Sequence, residues 1–304
     1  MKQHCSVIVV SLMLAASTPF LTSAADKTWN NGSGSFVWDL TSTNWTGLTW
    51  VDGDDAVFGA AGAGEIALSA PIAVRHQTFN ASGYNIAGVG NSLTLSGTAP
   101  TITVNAAYST NTTSLNGTNG LTIQGSGTLV LKGDPAAVTA NAYTGGTYVR
   151  SSTVILAADN ANVAGTSYAV DSIEALDAGA TVKFGTTFNG TSYVTPTLHQ
   201  VASHAAGSRL NMTGGTFDLN NEPRNQHLPI PDGNGLITNT GTNVQSGLIL
   251  YADGQDHEFS GVIADGGPLV GNNLAGGPTP QGPGRQIGIV NIAAGINAQR
   301  HKTK

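Results

Sequence analysis

The stretch from Gly120 to Leu156 constrains the fold more than any other. It reads Gly-Leu-Thr-Ile-Gln-Gly-Ser-Gly-Thr-Leu-Val-Leu-Lys-Gly and, after a loop, Tyr-Thr-Gly-Gly-Thr-Tyr-Val-Arg-Ser-Ser-Thr-Val-Ile-Leu. Leu121 and Ile123, Leu129 and Leu131, Val149, and Val154 and Leu156 alternate with polar residues. A period of two puts every second side chain on one face of a strand, so each run buries a single face. Glycines and small polar residues close each run in a turn. No run is long or periodic enough for a helix. The rest of the chain is a looser copy of this pattern. Ile66 and Leu68, Ile72 and Val74, Leu93 and Leu95, and Ile102 and Val104 precede it; Val182 and Phe184, Leu210 and Met212, Phe217 and Leu219, Leu248 and Leu250, and Phe259 follow. Gly- or Asn-rich pieces at 88–91, 116–120, 214–215 and 239–243 are expected to be turns between strands.

These runs are short, and the chain has 304 residues with only 6% aromatics against 40% hydrophobic residues in all. Burial must therefore come in many small portions, which suits a solenoid whose coils stack one on the next. The intervals between strands vary, so the repeat is imperfect. With 10% charged residues and a formal net charge of -6, the chain lacks the basic face that duplex nucleic acid demands. Its one basic cluster, Arg300, His301, Lys302 and Lys304, reads as a frayed end.

Four segments are expected. Residues 1–25 read as an export signal: Lys2 and His4, an apolar core from Val7 to Ala16, Pro19, then Thr22-Ser23-Ala24-Ala25 for cleavage. That core is too short to span a bilayer, and no later segment is long and apolar enough to do so. Cys5, the single cysteine, lies inside this signal. The mature chain would then have no disulfide, thiolate metal site or cysteine nucleophile. Residues 26–64 hold all four tryptophans, Trp29, Trp38, Trp45 and Trp50. They are candidates for stacking on sugar rings. The competing and favoured reading is an N-terminal cap that closes the solenoid, since an open coil exposes strand edges. Residues 65–265 form the solenoid, with its core at 120–156. Residues 266–304 read as a Gly/Pro-rich loop and frayed tail, in which Ile287, Ile289, Val290 and Ile292 recover the alternation weakly.

The central stretch resembles the autotransporter-associated β-strand repeat. The residues that carry the likeness are Gly125-Ser126-Gly127-Thr128-Leu129-Val130-Leu131 and Tyr143-Thr144-Gly145-Gly146-Thr147-Tyr148-Val149. The connection from Asp134 to Ala142 is longer and richer in alanine than in the family, and Ser152-Thr153-Val154 replaces its usual Gly-Thr-Leu. Thr28-Trp29, Asn44-Trp45, the run from Gly53 to Phe58, the run from Thr213 to Leu219 and the run from Phe259 to Ile263 are similar to other parts of such surface proteins. The resemblance implies an exported right-handed parallel β-helix, the passenger part of a larger protein, without catalytic residues or cofactors of its own. The barrel translocator that usually follows a passenger is not seen in this chain, nor is a sorting signal.

Several side-chain groups invite a chemical reading. Asp171, Glu174 and Asp177 are close in sequence, as are Asp253, Asp256 and Glu258 beside His257. A glycosidase needs two carboxylates at a set separation across a cleft; the Asp-Gly steps favour turns instead. Asp52, Asp54 and Asp55 offer hard oxygens for calcium, but the spacing lacks the distal Glu of a calcium loop, so a turn is expected. His199 and His204 lack zincin spacing, and Gly32-Ser33-Gly34 lacks the strand-to-helix setting of a nucleophile elbow. No catalytic residue, cofactor or metal site is expected. Three functions remain: a structural or adhesive envelope protein at the cell surface or secreted, with glycans or envelope components as partners; a polysaccharide-active β-helix enzyme; and a carbohydrate-binding module built on the tryptophans.

Overall fold

The computed structural model describes residues 24–46, 48–136, 141–158, 168–185, 187–188, 193–194, 200–202, 207–220, 225–240, 246–251, 255–265 and 287–292. The expected export signal lies almost wholly outside them, as do the Gly/Pro-rich stretch at 266–284 and the basic end at 300–304.

Each alternating run becomes a strand, and each strand pairs in parallel with the equivalent strand of the next coil. The result is an all-β solenoid of about eight turns. Partners in register lie from 20 residues apart, as with Ile66 and Ile86, to 42 apart, as with Leu250 and Ile292. The irregular spacing read in the sequence is thus absorbed between strands, not within them.

Every coil has three sides. The first side stacks Val37–Trp38, Glu65–Leu68, the start of Tyr84–Leu95 and of Tyr108–Asn116, Thr128–Leu131, Thr153–Leu156, Thr181–Phe184, the end of Leu210–Asp218 and of Pro231–Asn239, and Val262–Asp265. The third side stacks Asp26–Trp29, Asp55–Phe58, His76–Phe79, Thr101–Val104, Leu121–Gln124, Thr147–Val149, Ile173–Asp177, and the start of Leu210–Asp218 and of Pro231–Asn239. The second side is less regular. It has strands near its ends, Ile72–Val74 against Tyr84–Leu95, and Asn225–Pro229, Ser246–Tyr251 and Ile287–Ile292 as a separate parallel sheet. In its middle, single backbone bonds replace the ladder, such as Ala142 N–H to the Leu115 carbonyl at 2.7 Å.

Equivalent positions stack, so like sits on like. Inside, Leu129, Val154, Val182, Phe217 and Ile237 follow one another in register. Leu129 and Val182 are each 1% exposed. Another column runs Trp29, Phe58, Phe79, Val104, with aromatics at one end giving way to an aliphatic. Burying one such aliphatic side chain gains about 1.5–3 kcal/mol, so a coil with a few of them is stable only against its neighbours. Outside, Thr128, Thr153, Thr181 and Thr216 form a ladder of threonines, at the strand spacing of about 4.8 Å.

The glycines of the central motif have a geometric cause. Gly145 and Gly146 have φ of +87° and +80°, a region that side-chain-bearing residues avoid. This turn aims the Thr144 and Gly146 carbonyls at the previous coil, where they accept from Gly120 and Leu121 N–H at 2.9 Å each. At the next corner a Cβ on Gly127 would sit 1.7 Å from the Ala106 carbonyl oxygen. Where the second side has no strand, buried amide side chains act as substitute peptides. Asn141 accepts from Leu115 N–H and donates to the Ala169 carbonyl, both at 2.9 Å. Gln200 accepts from Ala158 N–H at 2.7 Å and donates to the Ala158 carbonyl at 2.9 Å.

Three readings of the sequence change. Residues 88–91 and 214–215 are not turns between strands. They are bends inside the continuous strands Tyr84–Leu95 and Leu210–Asp218, where the register breaks and the strand passes from one side to the next. Glycine there allows the bend without ending the strand. Ile287–Ile292 is not tail but a strand against Ser246–Tyr251.

Candidate interaction surface

The tryptophans are inside the molecule. Trp29, Trp38 and Trp45 are 0% exposed and Trp50 2%. Trp45 is the hub, with ring centroids 5.1 Å from Trp29, 4.8 Å from Trp38 and 4.7 Å from Trp50. Its backbone bridges antiparallel to Trp29 and to Leu48, so the segment around it covers the edge of the first strand. Trp29 donates its indole N–H to the Gly62 carbonyl at 3.0 Å, and Trp50 to the Ala73 carbonyl at 3.3 Å. As folded, none of the four presents a ring face to a sugar. The stacking expectation fails here because packing indoles against one another buries more apolar surface than exposing them to water.

The carboxylates beside them are spent on the neighbouring coil. Asp52 accepts from Ala73 N–H at 2.9 Å, Asp54 from Ala25 N–H at 2.9 Å, and Lys27 Nζ lies 3.7 Å from Asp54. Asp55 takes both arms of the Arg75 fork and the His76 N–H. Burial works against its charge, but the Arg75 bonds outweigh it and hold the carboxyl below its usual range. Among the described residues no group of three metal-ligating side chains converges.

Asp171, Glu174 and Asp177 do not act as a set. Asp177 accepts from Thr213 Oγ1 at 2.6 Å and from Arg150 Nη1 at 2.9 Å. The Thr213 bond and the Arg150 partner keep it below the ordinary carboxylate range. Glu174 accepts from Ser172 Oγ at 2.8 Å. Asp171 is pushed up by burial and then by the charge of Glu174. His257 Nδ1 pairs with Asp232 Oδ2 at 2.9 Å and Glu258 N–H with Asp232 Oδ1 at 3.0 Å, a coil-to-coil contact. Ser33 bonds Ser35 and Asn44 in a turn. Asp253, His199 and His204 lie outside the described residues.

One concave site missed by sequence reasoning lies on the third side. It has a volume of about 240 Å³ and is lined by Pro100, Asn119, Thr122, Tyr148 and Arg150, among others. Thr101, Thr122 and Tyr148 are register partners on three successive coils and point outward. Their columns are fixed by backbone bonds: Thr122 N–H to the Pro100 carbonyl at 3.0 Å and Arg150 N–H to the Ile123 carbonyl at 2.9 Å. The lining comes from three runs, 98–100, 119–122 and 148–150, and only stacking brings these together. The register repeat, had its period been regular, would have been the signal to find them.

No family model matches the chain, and no solved structure matches it. The chain is similar to the adhesin BmaC autotransporter of Brucella suis biovar 1 (strain 1330), 28% identical over 95% of this chain. It spans 8% of that protein's length. The stacked coils and this likeness together fit a passenger-type autotransporter protein.

Proposed function

Taking the chain as passenger-type, we propose that it is an adhesive segment of a surface-exposed or secreted protein. It binds glycans or other envelope or host components along its sides and performs no catalysis. The single observation that carries this reading is the outward-facing, half-buried ladder of polar side chains, with Thr128, Thr153, Thr181 and Thr216 as its clearest row. Such a surface offers many weak, repeated hydrogen-bonding groups, and repetition converts weak contacts into avidity. The named relative is an adhesin, which agrees with this use. The dispersal of Glu174 and Asp177 to separate partners favours it over the polysaccharide-active alternative. The test is direct. Beads coated with the purified chain should be retained on glycoprotein- and matrix-coated wells above beads coated with albumin. Equal retention would refute the reading, and release of reducing ends from polysaccharide would favour the enzyme.

A further inference from the structure

The groove around Tyr148 carries more than general stickiness. Its polar groups have capacity the protein does not use. Arg150 gives Nη1 to Asp177 at 2.9 Å, and among the described residues its Nε and Nη2 find no acceptor. Asp177 is itself tied by Thr213 at 2.6 Å, so a carboxylate anchored one coil further on holds the guanidinium from behind. Asn119 donates its amide to the Gly97 carbonyl at 2.6 Å, which leaves its Oδ1 open. Thr122 and Tyr148 line the groove with hydroxyls that bond no other described residue, and Pro100 adds an apolar wall.

We propose that this groove is a subsite for a carboxylate-bearing sugar, such as a uronic acid residue of a glycan. The inference rests on the adhesive reading and narrows it. The chemistry matches group by group. A guanidinium edge with two unspent N–H groups takes a carboxylate in a fork that no neutral hydroxyl fills as well. Thr122, Tyr148 and Asn119 supply a donor and acceptor set for ring hydroxyls. The Tyr148 ring and Pro100 give the apolar surface on which the C–H face of a sugar rests. The volume of about 240 Å³ suits one ring, not a longer ligand, because pockets for drug-sized molecules start at about 300 Å³. The chain as a whole carries a formal charge of -6 and repels polyanions. The Arg150 guanidinium, already sharing one edge with Asp177, therefore takes the single carboxylate of an isolated acidic sugar rather than a polyanion, and binding weakens as salt screens it.

The experiment titrates the full chain with methyl galacturonoside and, separately, with neutral methyl galactoside, by calorimetry. The same proteins are then scored for bead retention on glycoprotein-coated wells. Three variants are compared: Arg150→Gln, Tyr148→Ala, and Lys183→Gln on the first side. Circular dichroism confirms that each is folded. Tyr148→Ala keeps the test decisive should Arg150→Gln fail to fold. The expected result is binding of methyl galacturonoside over methyl galactoside, a loss of about tenfold or more in both groove variants, and no change in Lys183→Gln. Equal affinity for the two sugars, no binding of either, or full binding by Arg150→Gln or Tyr148→Ala would overturn the proposal. In each case unchanged bead retention leaves the adhesive reading standing. Wild-type retention no greater than that of albumin-coated beads, with methyl galacturonoside binding intact, would sink that reading and spare the subsite.

Discussion

Replacing Trp45 by Ala tests whether the first coil is closed by a true core. Trp45 is 0% exposed and lies with its ring centroid 4.7–5.1 Å from three other tryptophans and 5.7 Å from Phe58. Truncating a buried Trp to Ala costs about 3–5 kcal/mol. One term acts in the other direction. The Trp45 indole N–H is buried without an acceptor, and removing such a group returns about 1–3 kcal/mol. The net loss should therefore fall to about 2 kcal/mol. The chain offers an unusually clean assay, because all four of its tryptophans sit in this cluster. Indole fluorescence reports the cluster alone, while far-ultraviolet circular dichroism reports the stacked strands. In guanidinium titrations the wild type should show blue-shifted emission, and Trp45→Ala should move the fluorescence midpoint down, ahead of the dichroism midpoint. A loss under about 1 kcal/mol, or native emission at the wavelength of indole in water, would refute the buried cluster.

Three further outcomes are expected. Gly127→Ala should cost more than about 2 kcal/mol in chemical denaturation, since its Cβ would lie 1.7 Å from a backbone carbonyl that cannot move without parting two coils. A neutral result would show that the corner is looser than described. Asn141→Ala should cost about 2–4 kcal/mol by the same measurement, because it strands the Leu115 N–H and the Ala169 carbonyl in the interior; Asn141→Gln should not restore it. Asp55 is held below its ordinary value by Arg75, so its contribution is present above the unfolded value near 3.8 and lost as pH falls through the lower folded value. Asp55→Asn should flatten the acid side of the melting temperature against pH curve below about pH 4, and an unchanged slope would count against the pair.

The alternation around Leu129 and Val154 was enough to establish strands, one buried face and many thin layers. Its physical basis is local: side chains on a strand alternate regardless of what the strand pairs with. The Tyr-Thr-Gly-Gly-Thr motif was legible for a related reason, since a backbone at positive φ that aims carbonyls at the previous coil admits little but glycine. The fate of the tryptophans was not legible. A cluster of aromatics in sequence reads alike whether the rings face water or one another, and only the path of the chain around Asn44 and Trp45 turned them inward. The bends at 88–91 and 214–215 were misread because glycine marks a turn and a corner within a strand equally well. The groove depended on tertiary structure altogether. Pro100, Asn119 and the pair of Tyr148 and Arg150 belong to three successive coils, and coils of unequal length hide from the sequence which residue will stand beside which. Periodicity along the chain is a property of the backbone; adjacency across coils is set by register, and register is chosen by the packing of the whole interior.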